Sequence, residues 1–549
     1  MFWTKEQKEV IESANERRLT VDAGPGTGKT AVLCARIAYL IEHESVDPSN
    51  IWVISFTRTA VAELRNRVSS NLNDPRKSYG IKVATIDSHA WNVNTGFQLD
   101  NIFNKTFERG ILDVIDLFRS NQGLHDYLSR LQHLFIDESQ DVVGSRVELI
   151  LEIINAISPS AGVTILSDDA QAIYGFAEKF SHPGEKISGT LPENIKKFFP
   201  DFEHLELTEI HRTDDEILKT LFMKGREIVR RSNGEDNLLK IRKLIRNNNH
   251  GAAPSIEDLY NNMVEIQDSS FFLFRTRAQA LSTANLLKNS NYRLRMNGMP
   301  IVLHSWIGKI FWDWTENEID HDNFSKLWSD RMVNKSYYEA DKSWNLLVQH
   351  FGISNVRIDV RRMNRRLASL SPPAEFCEPE FGHSGPIIGT IHTSKGRESD
   401  DVYLYFDETD IPQYSRKHAN FEEEARILYV GASRAKKHLF IGKSPSQIGK
   451  SISGCNRTYQ EDGLKLSYVR VEIGRSGDIT PVSLAGKDFF LTQEDVVQSQ
   501  KTIQSLEDGH YRADCKIASN GKSLKLYVYL ENENTKPLFY LSDNIKWDL

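Results

Sequence analysis

The feature that most constrains this 549-residue chain is the run Ala23-Gly-Pro-Gly-Thr-Gly-Lys-Thr30. It follows the apolar strand pattern RLTVDA and opens the helical pattern AVLCARIAYLIEH. A glycine turn between strand and helix lets backbone amides wrap a phosphate at a helix N-terminus, where the helix dipole also favours an anion. In that frame Ala23, Gly24, Gly26, Thr27, Gly28 and Ala31 line the cradle. Lys29 reaches the β- and γ-phosphates, and the Thr30 hydroxyl is offered to Mg²⁺. A chance glycine turn does not bring strand, Lys-Thr pair and helix into register together, so ATP and Mg²⁺ are the expected cofactors.

A phosphate loop of this kind needs parallel strands around it. Short apolar, β-branched runs alternate with helical patterns at 18–23, 50–57, 81–87, 133–138 and 162–169, then at 204–210, 270–276, 386–393, 400–406 and 437–442. Strands this apolar are buried on both faces, which predicts an α/β fold with parallel sheets covered by helices. The expected organisation is a nucleotide-binding domain over 1–205, with a reduced insert at about 91–132. A second sheet domain comes in two parts, 206–300 and 386–450, interrupted by a helical, Trp- and Arg-rich insert at 301–385. The alternating patterns at 465–473 and 524–531 predict a β-rich module over 451–549.

The loop's catalytic partner is an acidic pair at the end of another apolar strand, supplied by Leu134-Phe-Ile-Asp-Glu-Ser-Gln-Asp141. Asp137 fits the carboxylate that holds Mg²⁺, and Glu138 fits the group that orients and deprotonates an attacking water. Small-molecule kinases share the loop but rarely the acidic run, so hydrolysis is the expected chemistry. The charge balance, 68 Lys and Arg against 75 Asp and Glu, gives −7. That excludes a polybasic nucleic-acid coat but not a local groove. No apolar run approaches the roughly 18 residues of a membrane span. The start lacks the layout of a secretion signal, and four scattered cysteines form no zinc or disulfide pattern. These features predict a cytoplasmic protein with reduced thiols and no membrane partner.

Further motifs follow in order: Trp3-Thr-Lys-Glu-Gln7, Ser55 to Leu64, Thr85-Ile-Asp-Ser-His89, Leu166 to Phe176, Glu209-Ile-His-Arg212, Leu273 to Gln279, Gly389 to Glu398, and Ala425 to Ala435. From about residue 3 to 445 the ordered set resembles the superfamily 1A DNA helicases of the UvrD/PcrA/Rep type. The resemblance implies two RecA-like domains with ATP between them and 3′→5′ polarity. It makes Gln7 the reader of adenine, Gln171 the link from γ-phosphate to DNA, Arg212 and Arg434 the arginine fingers, and Glu398 the acceptor for a ribose hydroxyl. It places base stacking or wedging at Phe56, Tyr174 and Phe176, and backbone contacts at Thr57, Arg58, Ser88, Arg275, His392 and Thr393. The implied partners are single-stranded DNA and its junctions with duplex.

The chain departs from the family's pattern in three ways. His211 stands where a tyrosine usually stacks on adenine, and Phe176 where tryptophan is commoner. Both inserts are short, which favours translocation over processive unwinding. Two basic stretches remain. Residues 224–246 hold eight Lys/Arg against three acids and read as a solvated face. In the second, Arg357, Arg361 and Arg365 share a face if 357–366 is one helix, a surface suited to duplex phosphates. The first reading is therefore an ATP-dependent DNA translocase or helicase. The alternative is a DNA-sensing ATPase subunit that regulates a separate OLD-type nuclease, because compact chains of this kind also resemble the helicase subunits of Gabija-type antiphage systems.

Overall fold

The computed structural model describes the chain apart from residues 1–2, 56–57, 98–106, 174–187, 232–233, 256–257, 260–266, 288–290, 333–337, 370–371, 408–419, 445–456, 463–466, 481–491, 507–512, 520–523, 532–536 and 543–549. The chain divides into two compact units. The first is Met1–Gly251 with Ser394–Asp401 and Gln413–Phe440, and the second is Ala252–Thr393 with Val402–Pro412 and Ile441–Leu549.

The first unit is built on a six-stranded parallel sheet of β1 (Arg18–Ala23), β2 (Ile51–Ser55), β3 (Lys82–Thr85), β4 (His133–Ile136), β5 (Gly162–Ser167) and β6 (Glu203–Leu207), in the order β3-β2-β4-β5-β1-β6. Every residue of β2, β4 and β5 is buried, as expected for strands covered on both faces. One core lies around Val21, Leu33, Ile37, Val53 and Phe135, and another around Ile54, Leu134, Ile136 and Ile165. Fully burying each such side chain contributes roughly 1.5–3 kcal/mol. The helices of the reduced insert, Phe107–Ser120 and Gln122–Leu128, feed Ile111, Val114, Ile115 and Leu124 into the second of these cores. The insert is thus part of the sheet's own packing.

The helices Glu216–Arg230 and Gly234–Asn247, expected beyond the boundary at 205, group with the first unit. Their anchor is the helix Phe421–Ala432: the Tyr429 hydroxyl donates to Phe222 O at 2.9 Å, and a Cβ on Gly225 would lie 2.7 Å from the Tyr429 ring. Only glycine lets the helices approach this closely.

The second unit carries a parallel sheet in which β7 (Phe271–Phe274) lies beside the strand Ile387–Thr390, which in turn pairs with β8 (Arg293–Arg295). Val402–Leu404 pairs with the other edge of β7. The insert between them holds a small antiparallel sheet of β9 (Glu318–Asp320), β10 (Gly352–Ser354) and β11 (Arg357–Asp359). It has a separate core around Trp306, Phe324, Trp344, Phe351 and Phe376. The C-terminal region forms an antiparallel hairpin, Thr458–Asp462 with Ser467–Val471, and a three-stranded antiparallel sheet over Ala513–Tyr540. The α/β class and the β-rich character of the tail are as expected. No helix among the described residues is long and apolar enough to cross a membrane.

Candidate active site

β1 ends at Ala23 and β4 at Ile136, so the glycine loop and the acidic pair emerge at the carboxyl ends of the sheet, where ligands of open α/β sheets bind. Gly26 (φ 79°) and Gly28 (φ 83°) are left-handed, a conformation that L side chains rarely adopt. A Cβ on Gly26 would come within 2.6 Å of Arg212 Cβ. The helix Lys29–Glu42 starts on Gly28, which supplies no side-chain acceptor to the first-turn amides. Such a cradle fits a phosphate. The oxygen donors Thr30 and Asp137 suit Mg²⁺, which would supply charge neutralisation at the phosphates.

Lys29 Nζ lies 2.7 Å from Glu138 Oε1, with both side chains largely buried. Burial opposes the lysine's charge, but Glu138 and Asp137 more than offset it, and its pKa is raised. Burial likewise opposes ionisation of Glu138, and the charges of Lys29 and Lys395 overcome it, holding that carboxyl below its ordinary range. Asp137, buried and beside Glu138, is pushed up by burial despite Lys29. Glu138 itself has φ 53°, an uncommon conformation for a non-glycine residue. It is held by Gln140 Nε2, which donates to Glu138 Oε2 at 2.5 Å. An ionised, positioned carboxylate beside a phosphate loop is equipped to accept a proton from water.

Around this pair runs a continuous hydrogen-bond relay. Asp168 N donates to Gln140 Oε1 at 3.0 Å, and Gln171 Nε2 donates to Asp168 Oδ2 at 2.7 Å. Arg434 Nη2 donates to Gln171 Oε1 at 2.5 Å. Arg434 is 2% exposed, and burial lowers its pKa to about 10, which leaves it charged at neutral pH. Arg212 Nε donates to Glu398 Oε2 at 2.8 Å and its Nη1 to Ser433 O at 2.5 Å, while His211 N donates to Gly26 O at 2.7 Å. Gln7 donates from Nε2 to Thr27 O at 3.0 Å and accepts at Oε1 from Thr4 N at 3.1 Å. In this structure, then, Glu398 pairs with Arg212, and Gln7 braces the phosphate loop.

Sequence reasoning assigned no role to several members of this site. Lys395 pairs with Asp141 at 2.6 Å and donates to Gln171 O; both residues stood inside recognised strings without an assigned role. Arg226 and Arg230, read as part of a solvated basic face, instead pair with the buried Asp22, and Arg226 also with Asp168. That reading is corrected: Arg226 is mostly buried and charge-compensated. The helical spacing of the stretch could have flagged it, because Leu218, Phe222, Gly225 and Val229 fall on its buried side.

Of the expected DNA contacts, Phe56, Thr57, Tyr174 and Phe176 lie outside the described residues, as does the side chain of Arg58. Ser88 Oγ is 2.9 Å from Thr85 Oγ1 at the start of the helix Ile86–Phe97. In the second unit, Arg275 follows β7, and His392 and Thr393 lie in the turn after the strand Ile387–Thr390, with Thr393 Oγ1 donating to Arg295 O at 3.0 Å. The proposed arginine helix needs correction. Arg357 is on β11 and pairs with Glu318 at 3.4 Å, and the helix begins only at Val360, capped by Asp359. Arg361, Arg362, Arg365 and Arg366 are exposed on that helix, opposite the buried Val360, Met363 and Leu367.

A phosphate loop after β1, an acidic pair after β4 with β5 lying between the two strands, and two parallel sheets define a P-loop NTPase of the RecA-like class. The family model described as the UvrD/REP helicase N-terminal domain matches residues 3–100 and 93–179, and that of the UvrD-like helicase C-terminal domain matches 380–446. The chain thus carries regions similar to both the N-terminal and the C-terminal domain of UvrD/REP-like helicases. It is 25% identical over 294 residues to the ATP-dependent DNA helicase Rep of Buchnera aphidicola subsp. Acyrthosiphon pisum, covering 39% of this chain and 43% of that one. DNA helicase II of Haemophilus influenzae is 25% identical over 282 residues, 36% and 37% of the two chains. An ATP-dependent helicase/nuclease subunit from Clostridioides difficile is 29% identical over 189 residues, 33% of this chain and 14% of that protein. The chain thus spans less than half the length of these curated relatives. The crystal structure of Pif1 helicase from Candida albicans is similar over 80% of this chain and 95% of its own, with 13% identity and a TM-score of 0.38.

Proposed function

We propose that this chain is an ATP-dependent DNA helicase or translocase that moves 3′→5′ on single-stranded DNA. The observation that carries this reading is the position of Gln171, joined at once to Asp168, Arg434 and Lys395 beside the Lys29–Glu138 pair. A residue tied to so many partners is suited to turn the presence of a γ-phosphate into a rearrangement. In this reading Lys29 binds phosphate, Thr30 and Asp137 hold Mg²⁺, Glu138 takes the proton from water, and Arg212 and Arg434 neutralise developing charge. His211 and Gln7 border the adenine. Phe56, Tyr174 and Phe176 stack bases, and Thr57, Arg58, Ser88, Arg275, His392 and Thr393 hold the backbone. The exposed Arg361 and Arg365 contact duplex phosphates, with Arg357 at the edge of that surface. The intact relay favours a turning-over motor over an ATPase that only regulates a nuclease.

The test is hydrolysis with and without single-stranded DNA, together with strand displacement on 3′- and 5′-tailed duplexes. Glu138→Gln is expected to bind ATP without turning it over, and Lys29→Ala to bind it poorly. Hydrolysis indifferent to DNA, or displacement only from a 5′ tail, would refute the reading.

A further inference from the structure

The relay described above is one side of a ring of contacts, and the other side runs through Arg226. Its Nη2 donates to Asp22 Oδ1 at 2.6 Å and its Nε to Asp168 Oδ1 at 3.3 Å. Asp22 is the residue just before the phosphate loop. The guanidinium also lies against that loop, since a Cβ on Gly24 would be 3.1 Å from Arg226 Nε. Arg230 adds a second contact to Asp22. The side chains of Asp22 and Asp168 are 6% and 0% exposed, so each needs compensation to stay charged.

Two features distinguish this cluster from a mere neutralising pair. First, Asp168 is the group that orients Gln171: it accepts a hydrogen bond from the amide Nε2, which turns Oε1 toward Arg434. Second, Arg226 and Arg434 are mounted together. The helix Glu216–Arg230 is docked on the helix Phe421–Ala432 through Gly225 and Tyr429, and Arg434 follows two residues beyond the second helix. Gln171 is therefore held at its nitrogen through Asp168 and Arg226, and at its oxygen through Arg434, by one two-helix body.

We propose that Arg226 is a positioning residue for ATP hydrolysis, which through Asp168 and Asp22 holds Gln171 and the phosphate loop in register with Arg434. The inference rests on the ATP-hydrolysis reading above and adds to it a residue outside the recognised motifs. Arg226 need not touch nucleotide. Its loss leaves Asp168 Oδ1 with only the Ala170 N contact at 3.3 Å, so the Gln171 amide is less firmly oriented, while Arg230 still pairs with Asp22 and keeps the phosphate loop able to bind. Turnover should fall more than ATP affinity.

The experiment uses the full chain with saturating single-stranded DNA, and measures kcat, KM for ATP, equilibrium binding of a fluorescent ATP analogue and thermal melting. Arg226→Gln is expected to lower kcat about tenfold with KM and analogue affinity within about twofold, the pattern of a lost link in a coupled network. Arg226→Lys should recover part of the loss, and Asp22→Asn should show a smaller one because the Asp168 contact remains. An unchanged kcat in Arg226→Gln overturns the proposal, as does a fall in kcat matched by lost affinity and a lower melting temperature. If Arg226→Gln does not fold, wild-type kcat in both Arg226→Lys and Asp22→Asn overturns it. Glu138→Gln separates the levels. Should it still hydrolyse ATP, the underlying reading fails; if it is inactive while Arg226→Gln is normal, only the present inference fails.

Discussion

Replacing Lys395 with methionine removes the charge that compensates Asp141, whose side chain is 1% exposed and 2.6 Å from the ammonium. Burial already raises the Asp141 pKa from 3.8 to about 6, even with Lys395 opposing it. A shift of about two units corresponds to about 3 kcal/mol between protonation states. Breaking such a buried pair by removing one partner costs about 3–5 kcal/mol. The pH dependence gives the test its sign. Between 3.8 and the folded pKa the native state binds more protons than the unfolded chain, so stability falls as pH rises through that window. In the wild type the fall ends near pH 6. In Lys395→Met it continues upward, because burial, opposed then only by the weaker effect of Lys29, raises the folded pKa further. The stability gap between the two proteins should therefore be smaller at acidic pH and widen above about pH 6 by about 1.4 kcal/mol per unit. Urea unfolding followed by tryptophan emission across this range measures it, and Lys395→Met/Asp141→Asn should recover most of the loss. Lys395 also helps hold Glu138 ionised, so the acid limb of kcat should move to higher pH in Lys395→Met. A gap that is constant with pH, or that widens on acidification, refutes the reasoning.

Gly26→Ala should abolish ATP binding measured by equilibrium fluorescence, because the left-handed φ and the 2.6 Å approach to Arg212 Cβ cannot both persist. His211→Tyr should tighten ATP binding by on the order of 0.5–1.5 kcal/mol if the ring stacks on adenine, and unchanged affinity in calorimetry places His211 elsewhere. Arg361→Gln/Arg365→Gln should weaken binding to a tailed duplex and flatten its salt dependence by about 0.9 in slope per lost phosphate contact. Single-strand-stimulated ATPase should be nearly unaffected by that pair. Arg357→Gln should have the smaller effect, since Glu318 already engages that side chain.

The parts of the site that were legible in sequence are those whose signal is local. Ala23–Thr30 announces itself because strand, glycines, lysine and helix are contiguous, and Asp137–Glu138 because it ends an apolar strand. Lys395 was not legible in the same way: its partner Asp141 is 254 positions away, and pairing across that distance leaves no mark on either neighbourhood. Arg226 failed for the same reason, with Asp22 204 positions off, and the surrounding basic run suggested solvent. Arg357 stands outside the helix for a reason its own neighbourhood displays. Asp359 caps the following helix by accepting from Arg362 N at 2.8 Å, and an aspartate before an apolar-periodic run is a known start signal. An i, i+4 count that crosses a cap counts two different elements. The strand runs transferred to both sheets because full burial of a strand requires only that its own residues be apolar.

The two inserts differ in what they leave free to vary. Ile111, Val114 and Ile115 fill the same core as Ile54 and Leu134, so a deletion in the first insert opens a void beneath the strand that leads to Asp137 and Glu138. The second insert closes its own interior with Trp306, Phe324, Trp344 and Phe376. Its surface and the length of its loops can change without opening a void in either parallel sheet, while the stretch that returns from it is tied to β8 through Leu294–Phe381 and Arg295–Glu380. A change of length therefore costs less packing in the second insert, where the exposed arginines sit, than in the first, which shares its core with the catalytic strand.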